Sequence, residues 1–269
     1  MVEIARALAT QPRVLLLDEP AAGLGPQDTE RLGKLLRQVA QAGVGMVLVE
    51  HHMPLVMGVA DHVVVLDAGR VIAEGSPVQV RQNAAVRKAY LGERTQRADS
   101  RAVSEGDRHG SALTVRQLSA GYGAAPVLEG VDLSVYTGEV VAVLGANGAG
   151  KSTLMRALSG LHRPVAGIVQ LHGQDLTTAT AHRIARAGLS LVPEGRQVFP
   201  ELTVLDNIRL GAYCRRGVDA MQELEPLLAR FPALRPRLHH RAGLLSGGEQ
   251  QRYDLPLSPR VRGEGEQSW

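Results

Sequence analysis

The chain has 269 residues, of which 44% are hydrophobic and 21% charged, a balance typical of a globular protein of one or two domains. No run approaches the ~18 apolar residues of a membrane-spanning helix, no signal peptide is evident, and the single cysteine, Cys214, excludes an intrachain disulfide. The net charge of +3 comes from scattered arginines, and aromatic residues make up only 3%. We therefore expect a cytoplasmic protein without a nucleic-acid partner.

Residues 1–93 alternate predicted strands with amphipathic helices. Continuous apolar runs at Val14–Leu17 and Met46–Val49 predict strands that are buried on both faces. Between them, a proline opens a predicted helix over residues 27–41, whose apolar side chains form one stripe. A hairpin is predicted at 63–73. This alternation predicts a largely parallel sheet.

Residues 94–112 contain few apolar side chains and predict a flexible linker. The periodic pattern resumes over residues 113–252. Strands are predicted there at 113–118, 127–135, 140–144 and 189–192, and helices from residue 151, at 204–213 and at 220–230. Residues 253–269 follow neither period, and we expect this tail to be disordered.

A glycine-rich loop follows the predicted strand at 140–144. Residues 145–152 read Gly-Ala-Asn-Gly-Ala-Gly-Lys-Ser and match the phosphate-binding loop G-x-x-x-x-G-K-[ST] between a buried strand and a helix. The glycines let backbone N–H groups turn toward an anion at a helix N-terminus. Lys151 adds a positive charge for the β- and γ-phosphates, and the Ser152 hydroxyl can ligate Mg²⁺. The residues predicted to contact nucleotide in this loop are Gly145, Asn147, Gly148, Gly150, Lys151, Ser152 and Thr153.

A second glycine motif follows at residues 245–252, Leu-Ser-Gly-Gly-Glu-Gln-Gln-Arg. It resembles the LSGGQ signature of ABC-transporter ATPase subunits. Residues 193–196, Pro-Glu-Gly-Arg, are similar to the segment that ATPase subunits of branched-chain amino acid importers have at the Q-loop. The resemblance implies that Tyr122 stacks on adenine and that Glu194 approaches Mg²⁺. It also implies that the γ-phosphate of a partner's ATP meets Ser246, Gly247 and Gly248.

The beginning of the chain resembles the other end of the same kind of domain. Residues 14–20, Val-Leu-Leu-Leu-Asp-Glu-Pro, look like the Walker B strand. The resemblance implies that Asp18 holds Mg²⁺ and that Glu19 polarises the attacking water as general base. His51 matches the switch histidine that contacts the γ-phosphate. Gly25 stands where the D-loop of this family usually has an acidic or amide residue.

The two parts stand in the reverse of the usual order. In an ordinary ABC ATPase domain the phosphate-binding loop and the signature precede Walker B and the switch histidine. Here the first half (residues 1–93) resembles the C-terminal half of such a domain, and the second half (residues 113–252) resembles its N-terminal half. Placing Arg252 before Met1 restores the usual succession without an obvious gap. Three interpretations stay open: one circularly permuted domain, two chains that complement each other, or a junction of two neighbouring importer genes with a frame-shifted tail.

The resemblance implies an α/β fold of the P-loop NTPase class, with a mostly parallel core, an antiparallel β region near 113–135 and a helical subdomain near 200–245. It implies an ATPase with Mg²⁺ and ATP that energises import of branched-chain amino acids. Its implied partners are transmembrane permease subunits and a second ATPase subunit in a head-to-tail dimer, at the inner face of the plasma membrane. The alternative is a nucleotide-binding remnant of split or fused genes. The break in the signature helix leads us to expect that binding survives better than hydrolysis.

Overall fold

The computed structural model describes residues 1–83, 86, 110–123, 125–195, 197–213, 215 and 224–245. The strands, in chain order, are β1 (Val14–Asp18), β2 (Gly45–Val49), β3 (His62–Asp67), β4 (Arg70–Gly75), β5 (Ser111–Tyr122), β6 (Ala125–Tyr136), β7 (Val140–Gly145), β8 (Ala166–Leu171), β9 (Gln174–Asp175) and β10 (Leu189–Val192). The helices are α1 (Val2–Leu8), α2 (Pro26–Gln41), α3 (Met53–Val59), α4 (Pro77–Gln82), α5 (Lys151–Leu158), α6 (Ala181–Ala187), α7 (Val204–Ala212) and α8 (Leu224–Arg230). Short 3₁₀ helices occupy Pro232–Arg237 and Ala242–Leu244. Within these ranges, none of the helices combines the length and the apolar character needed to cross a membrane.

Strands from both halves of the chain form one six-stranded sheet in the order β10-β1-β2-β7-β3-β4. All neighbouring pairs are parallel except the antiparallel β3–β4 hairpin. Strand β7 of the second half lies between β2 and β3 of the first half. Both β1 and β2 are buried along their whole length, as their continuous apolar runs predict. The prediction of a mostly parallel α/β core is confirmed.

A second, antiparallel sheet has the order β6-β5-β8-β9, at the position of the predicted antiparallel region. Strand β5 begins at Ser111, two residues earlier than predicted and inside the segment interpreted as linker. The reason is local, because Ser111 pairs with Tyr136 of β6 and Ala112 is buried. The rest of the predicted linker, residues 94–109, and the predicted tail, residues 253–269, lie outside the described residues.

The parallel sheet separates two hydrophobic layers. Alternate residues of β1 face opposite sides: Leu15 and Leu17 pack with helices α1, α2, α7 and α8, whereas Val14 and Leu16 pack with the antiparallel sheet and helices α5 and α6. This is the period-2 alternation of a strand whose two faces are both covered. Both layers contain side chains from the first half and from the second half, so neither half buries its own core alone.

Helix α1 of the first half packs directly on helix α7 of the second half. Gly211 permits this contact, because a Cβ atom at that position would lie 2.0 Å from the backbone carbonyl oxygen of Arg6. The Arg6 guanidinium carbon lies 5.6 Å from the centre of the Phe199 ring, a cation–π distance. Burial lowers the pKa of Arg6 below its ordinary value. The contact is therefore close, and it has little room for a larger residue.

We predict that Gly211→Ala lowers the free energy of unfolding by about 1–3 kcal/mol, because the added methyl group overpacks the contact between α1 and α7. The matched control is Gly58→Ala in α3, where a Cβ atom would meet nothing within 4 Å. That variant is expected to gain roughly 0.5–1 kcal/mol from helix propensity. Urea unfolding of the two variants and of the wild type measures the loss and the gain in the free energy of unfolding. A Gly211→Ala chain as stable as the wild type would show that α1 does not dock on α7.

Candidate active site

The candidate functional residues converge where parallel strands end. Strand β1 ends at Asp18, β7 ends at Gly145, and β2 and β10 end at Val49 and Val192. Because these four strands are parallel neighbours in one sheet, the segments that follow them meet at one edge. That edge brings together the Walker B residues and His51 from the first half with the phosphate-binding loop and Glu194 from the second half.

The glycine-rich loop connects β7 directly to α5, which begins at Lys151 as predicted. Gly150 caps the helix with φ +102°, a left-handed conformation that favours glycine. The Lys151 ammonium donates hydrogen bonds to the carbonyl oxygens of Gly145 at 2.8 Å and Ala146 at 3.0 Å. Asn147 and Gly148 are exposed at the tip of the loop. The loop is therefore a turn around a nearly buried cation, open to an anion on its outer side.

Asp18 is a buried carboxylate beside this loop, 6% exposed. Its Oδ1 atom is buried without a hydrogen-bond partner. Burial, followed by the negative charge of Glu194, raises the pKa of Asp18, and a hydrogen bond with Ser152 opposes the shift. The Lys151 charge also opposes it. The two halves of the chain thus place acidic, hydroxyl and ammonium groups within electrostatic reach of one another.

Oxygen ligands for Mg²⁺ are present at this point of the site. Among the described residues, no group of three or more His, Cys, Asp and Glu side chains could hold a metal on its own. Mg²⁺ is, however, ordinarily bound through one or two carboxylates together with substrate phosphates and water. The unpartnered Oδ1 of Asp18, the Ser152 hydroxyl and the exposed Glu194 carboxylate fit such a shared site.

Glu19 and His51 lie side by side at the end of β1 and β2. Glu19 has φ +49°, a left-handed conformation that is uncommon for a residue other than glycine. Its N–H donates to the carbonyl oxygen of Val49 at 2.9 Å, which fixes this turn. The His51 Nδ1 atom is 3.7 Å from Glu19 Oε2, and the His51 side chain is 70% exposed. Backbone strain of this kind clusters at functional sites.

The second half supplies an exposed aromatic ring next to helix α5. Tyr122 is 50% exposed, and its ring centre is 4.6 Å from that of His162, which itself hydrogen-bonds the Gly121 carbonyl at 2.9 Å. The Arg156 guanidinium, then the Thr153 hydroxyl, lower the pKa of the Tyr122 phenol. Tyr122 is thus linked through its phenol to the helix that follows the phosphate-binding loop, and half of its side chain stays exposed.

The remaining predicted contacts lie at the end of the described chain. Ser246, Gly247 and Gly248 are outside the described residues. The residue before them, Leu245, lines a cavity of about 140 Å³ that is also lined by Met1. The end of the described second half and the beginning of the first half are therefore neighbours in space.

One residue at this edge was not identified from the sequence. Glu50 follows β2, is 1% exposed, and accepts backbone hydrogen bonds from Ala21, His51 and His52. The signal that could have revealed it is an ionisable residue directly after a fully apolar strand.

The sequence also matches known families and proteins. Residues 128–257 match a family described as "ABC transporter", and residues 70–95 match one described as "Branched-chain amino acid ATP-binding cassette transporter". The chain is 33% identical over 265 residues to the ribose import ATP-binding protein RbsA of Pseudomonas putida, which covers 95% of this chain and 50% of that protein. In Pseudomonas aeruginosa, the high-affinity branched-chain amino acid transport ATP-binding protein BraG is 39% identical over 139 residues, or 52% of this chain and 60% of BraG. BraF, of the same description, is 50% identical over 93 residues, or 34% of this chain and 36% of BraF.

The parallel sheet, the phosphate-binding loop between β7 and α5 and the antiparallel sheet define a P-loop NTPase with the ABC ATPase fold. The sequence is similar to ABC-transporter ATP-binding proteins, over residues 128–257 in the family match and over 265 residues in the match to RbsA. It spans about half the length of the RbsA protein that it matches. The predicted fold class is confirmed, whereas the roles of the individual site residues stay predictions.

We predict that Asp18→Asn raises the free energy of unfolding in EDTA at pH 7.5 by roughly 0.5–2 kcal/mol, the range typical of stabilising substitutions. Because the pKa of Asp18 is raised in the folded protein, its carboxyl group ionises at lower pH in the unfolded chain. The wild type is therefore penalised at neutral pH, and the advantage of the variant disappears as the pH falls to about 4.

The control is Asp206→Asn, for which we expect the opposite change in the free energy of unfolding. Hydrogen bonding to Thr203 and Arg209 lowers the pKa of Asp206. Removal of the Asp206 carboxylate is therefore expected to destabilise the protein at neutral pH. Thermal and urea unfolding between pH 4 and 8 measure both variants. An Asp18→Asn chain that is less stable than the wild type in EDTA would contradict the electrostatic interpretation of this site.

Proposed function

We propose that the chain is an ATP-binding and ATP-hydrolysing subunit that energises an ABC importer. The observation that carries this proposal is the single edge of the sheet at which Lys151 and Ser152 of the second half lie beside Asp18 of the first half. Glu19 and His51 stand next to each other at the same edge. Phosphate-binding groups and water-activating groups are thus both available to one nucleotide.

The proposed chemistry is charge neutralisation and water positioning, without a covalent enzyme intermediate. Backbone N–H groups of the loop and the Lys151 ammonium bind the β- and γ-phosphates. Ser152 and Asp18 would hold Mg²⁺, with Glu194 nearby; the bound ion would neutralise phosphate charge. Glu19 orients and polarises the attacking water. The remaining groups, His51 at the γ-phosphate and Tyr122 at adenine, position the nucleotide.

We propose further that one chain forms a circularly permuted ATPase domain. The insertion of β7 between β2 and β3 supports this arrangement. The cavity shared by Met1 and Leu245 supports it as well, since the usual chain would pass there from the signature into α1.

The transported solute is proposed to be a branched-chain amino acid. The match of residues 70–95 to the branched-chain family and the 50% identity to BraF favour it. Ribose is the second candidate, because the RbsA match extends over 95% of the chain. In either case the proposed partners are permease subunits and a second ATPase subunit at the inner face of the membrane. That second subunit would receive Ser246, Gly247 and Gly248.

The proposed activity predicts distinct losses in two variants of the purified chain. Lys151→Ala should weaken Mg-ATP binding by at least about 10-fold and abolish turnover, because it removes a phosphate-bound cation. Glu19→Gln should bind Mg-ATP normally and lose about 100-fold or more in turnover. The matched controls are Lys34→Ala and Glu30→Gln, whose side chains form an exposed ion pair on α2; both should behave as the wild type.

Binding and hydrolysis separate the proposed ATPase from the alternative. If the wild type binds Mg-ATP through Lys151 and turns over no faster than Glu19→Gln, the two halves do not cooperate. The chain would then be the hydrolysis-deficient remnant. If Lys151→Ala binds Mg-ATP as tightly as the wild type, the phosphate-binding loop is not the nucleotide site.

A mixing experiment tests the permuted arrangement against complementation between chains. In the permuted domain, every site of a mixture of Lys151→Ala and Glu19→Gln chains carries one defect, so the mixture should stay inactive. If the halves instead pair between chains, the intact halves of the two variants combine into a wild-type site. Recovery of about a quarter or more of wild-type turnover on mixing and refolding would overturn the permuted domain.

A further inference from the structure

Glu50 is a buried carboxylate between two loops of the site. It follows β2 and is 1% exposed. A carboxylate in this environment is costly unless hydrogen bonds replace its lost hydration. Glu50 obtains those hydrogen bonds from backbone N–H groups of both loops.

The two carboxylate oxygens serve different loops. Oε2 accepts from the N–H of Ala21, in the loop that follows Glu19, at 3.3 Å. Oε1 accepts from the N–H groups of His51 at 3.2 Å and His52 at 3.3 Å. One side chain therefore ties the segment after Walker B to the segment that carries the switch histidine.

The same carboxylate is close to the imidazole of His51. The Nδ1 atom of His51 is 3.7 Å from Glu50 Oε1 and 3.7 Å from Glu19 Oε2, so the ring lies between two acidic groups. On the other side, the His52 side chain accepts a hydrogen bond from the N–H of Leu55 at the start of α3. The backbone of His51 is thereby placed between the Glu50 carboxylate and the capped helix α3, while its ring is exposed beside Glu19.

We propose that Glu50 is a positioning residue for hydrolysis, which sets the distance between His51 and Glu19 by bridging their loops. The inference rests on the proposed ATPase function. Glu50 is buried beneath the loops and acts through His51 and Glu19 rather than on the nucleotide. Three backbone hydrogen bonds to one buried side chain restrict the two loops relative to each other.

Glu50→Gln tests the link because it preserves the size of the side chain. A glutamine has one acceptor oxygen and one NH₂ group, so it can satisfy either Ala21 or the two histidine N–H groups, but not both loops. We expect the turnover number to fall by about 10- to 100-fold while the Kd for Mg-ATP stays within about twofold of wild type. The matched control is Asp61→Asn. Its carboxylate accepts from the N–H of Val140 at 2.9 Å, at the opposite end of β7, and we expect normal turnover.

A double-mutant cycle separates positioning from a general effect on folding. Because Glu50 is proposed to set the distance between His51 and Glu19, Glu50→Gln should cost several-fold less turnover in a His51→Ala background than in the wild type. A double variant whose loss of turnover equals the product of the two single-variant losses would overturn the inference. Glu50→Asp is the second variant if Glu50→Gln does not fold, since it keeps both acceptors on a shorter side chain. It too should lose turnover at unchanged Mg-ATP affinity, and full turnover in either folded variant would overturn the inference.

The link that Glu50 forms between the two loops can also be tested without ATPase activity. If the wild type hydrolyses no ATP, the proposed ATPase is wrong, and amide hydrogen exchange decides the role of Glu50. Peptides that cover residues 19–22 and 51–55 should exchange faster in Glu50→Gln than in wild type and Asp61→Asn. Equal exchange in all three proteins would overturn the link between the loops.

Discussion

The parallel pairing of β7 with β2 on one side and β3 on the other is the interaction on which the rest of the structure depends. It inserts a strand of the second half between two strands of the first half. Parallel neighbours end at the same edge of a sheet, so this register carries Lys151 to the same edge as Asp18. It also gives both hydrophobic layers contributions from each half. Without this pairing, the chain would have a phosphate-binding loop and a Walker B strand, but no shared site.

Several residues of the site adopt states that are unfavourable for the stability of the fold. Asp18 is a buried acid with an unpartnered oxygen and a raised pKa, Glu19 has a left-handed backbone conformation, and Glu50 is a carboxylate with almost no exposure. Each feature is unfavourable in an ordinary core. The surrounding sheet, with β1 and β2 fully buried, is rigid enough to impose them. Acids held in this way cost the ligand-free fold stability, and the proposed binding of a divalent cation and phosphates would account for that cost.

The sequence predicted the elements whose signals are local and strong. The apolar runs at Val14–Leu17 and Met46–Val49, and the loop before Lys151, were placed correctly because burial on both faces and a complete glycine motif have few alternatives. Helices α3 and α4 were not predicted. They have seven and six residues, too short for a helical period to emerge, although Ser76 and Gln79 form a capping box that was legible in the sequence. Glu50 was missed for a different reason, since the three N–H groups that it binds come together only in the tertiary fold.

The order of the halves matters less to this architecture than the pattern within each half. A strand selects its neighbours by burial and register, and the connection between them needs only to be long enough to cross over. The entropy of closing a connection rises by only about 0.6 kcal/mol for each doubling of its length. The segment between β4 and β5 can therefore be long without excluding the insertion of β7. On the proposed permutation, no covalent link would lead from the signature into α1, so the position of α1 would depend on noncovalent packing, which includes its contact with α7. Gly211 consequently matters to that arrangement, because a Cβ atom there would collide with the backbone of α1 at Arg6.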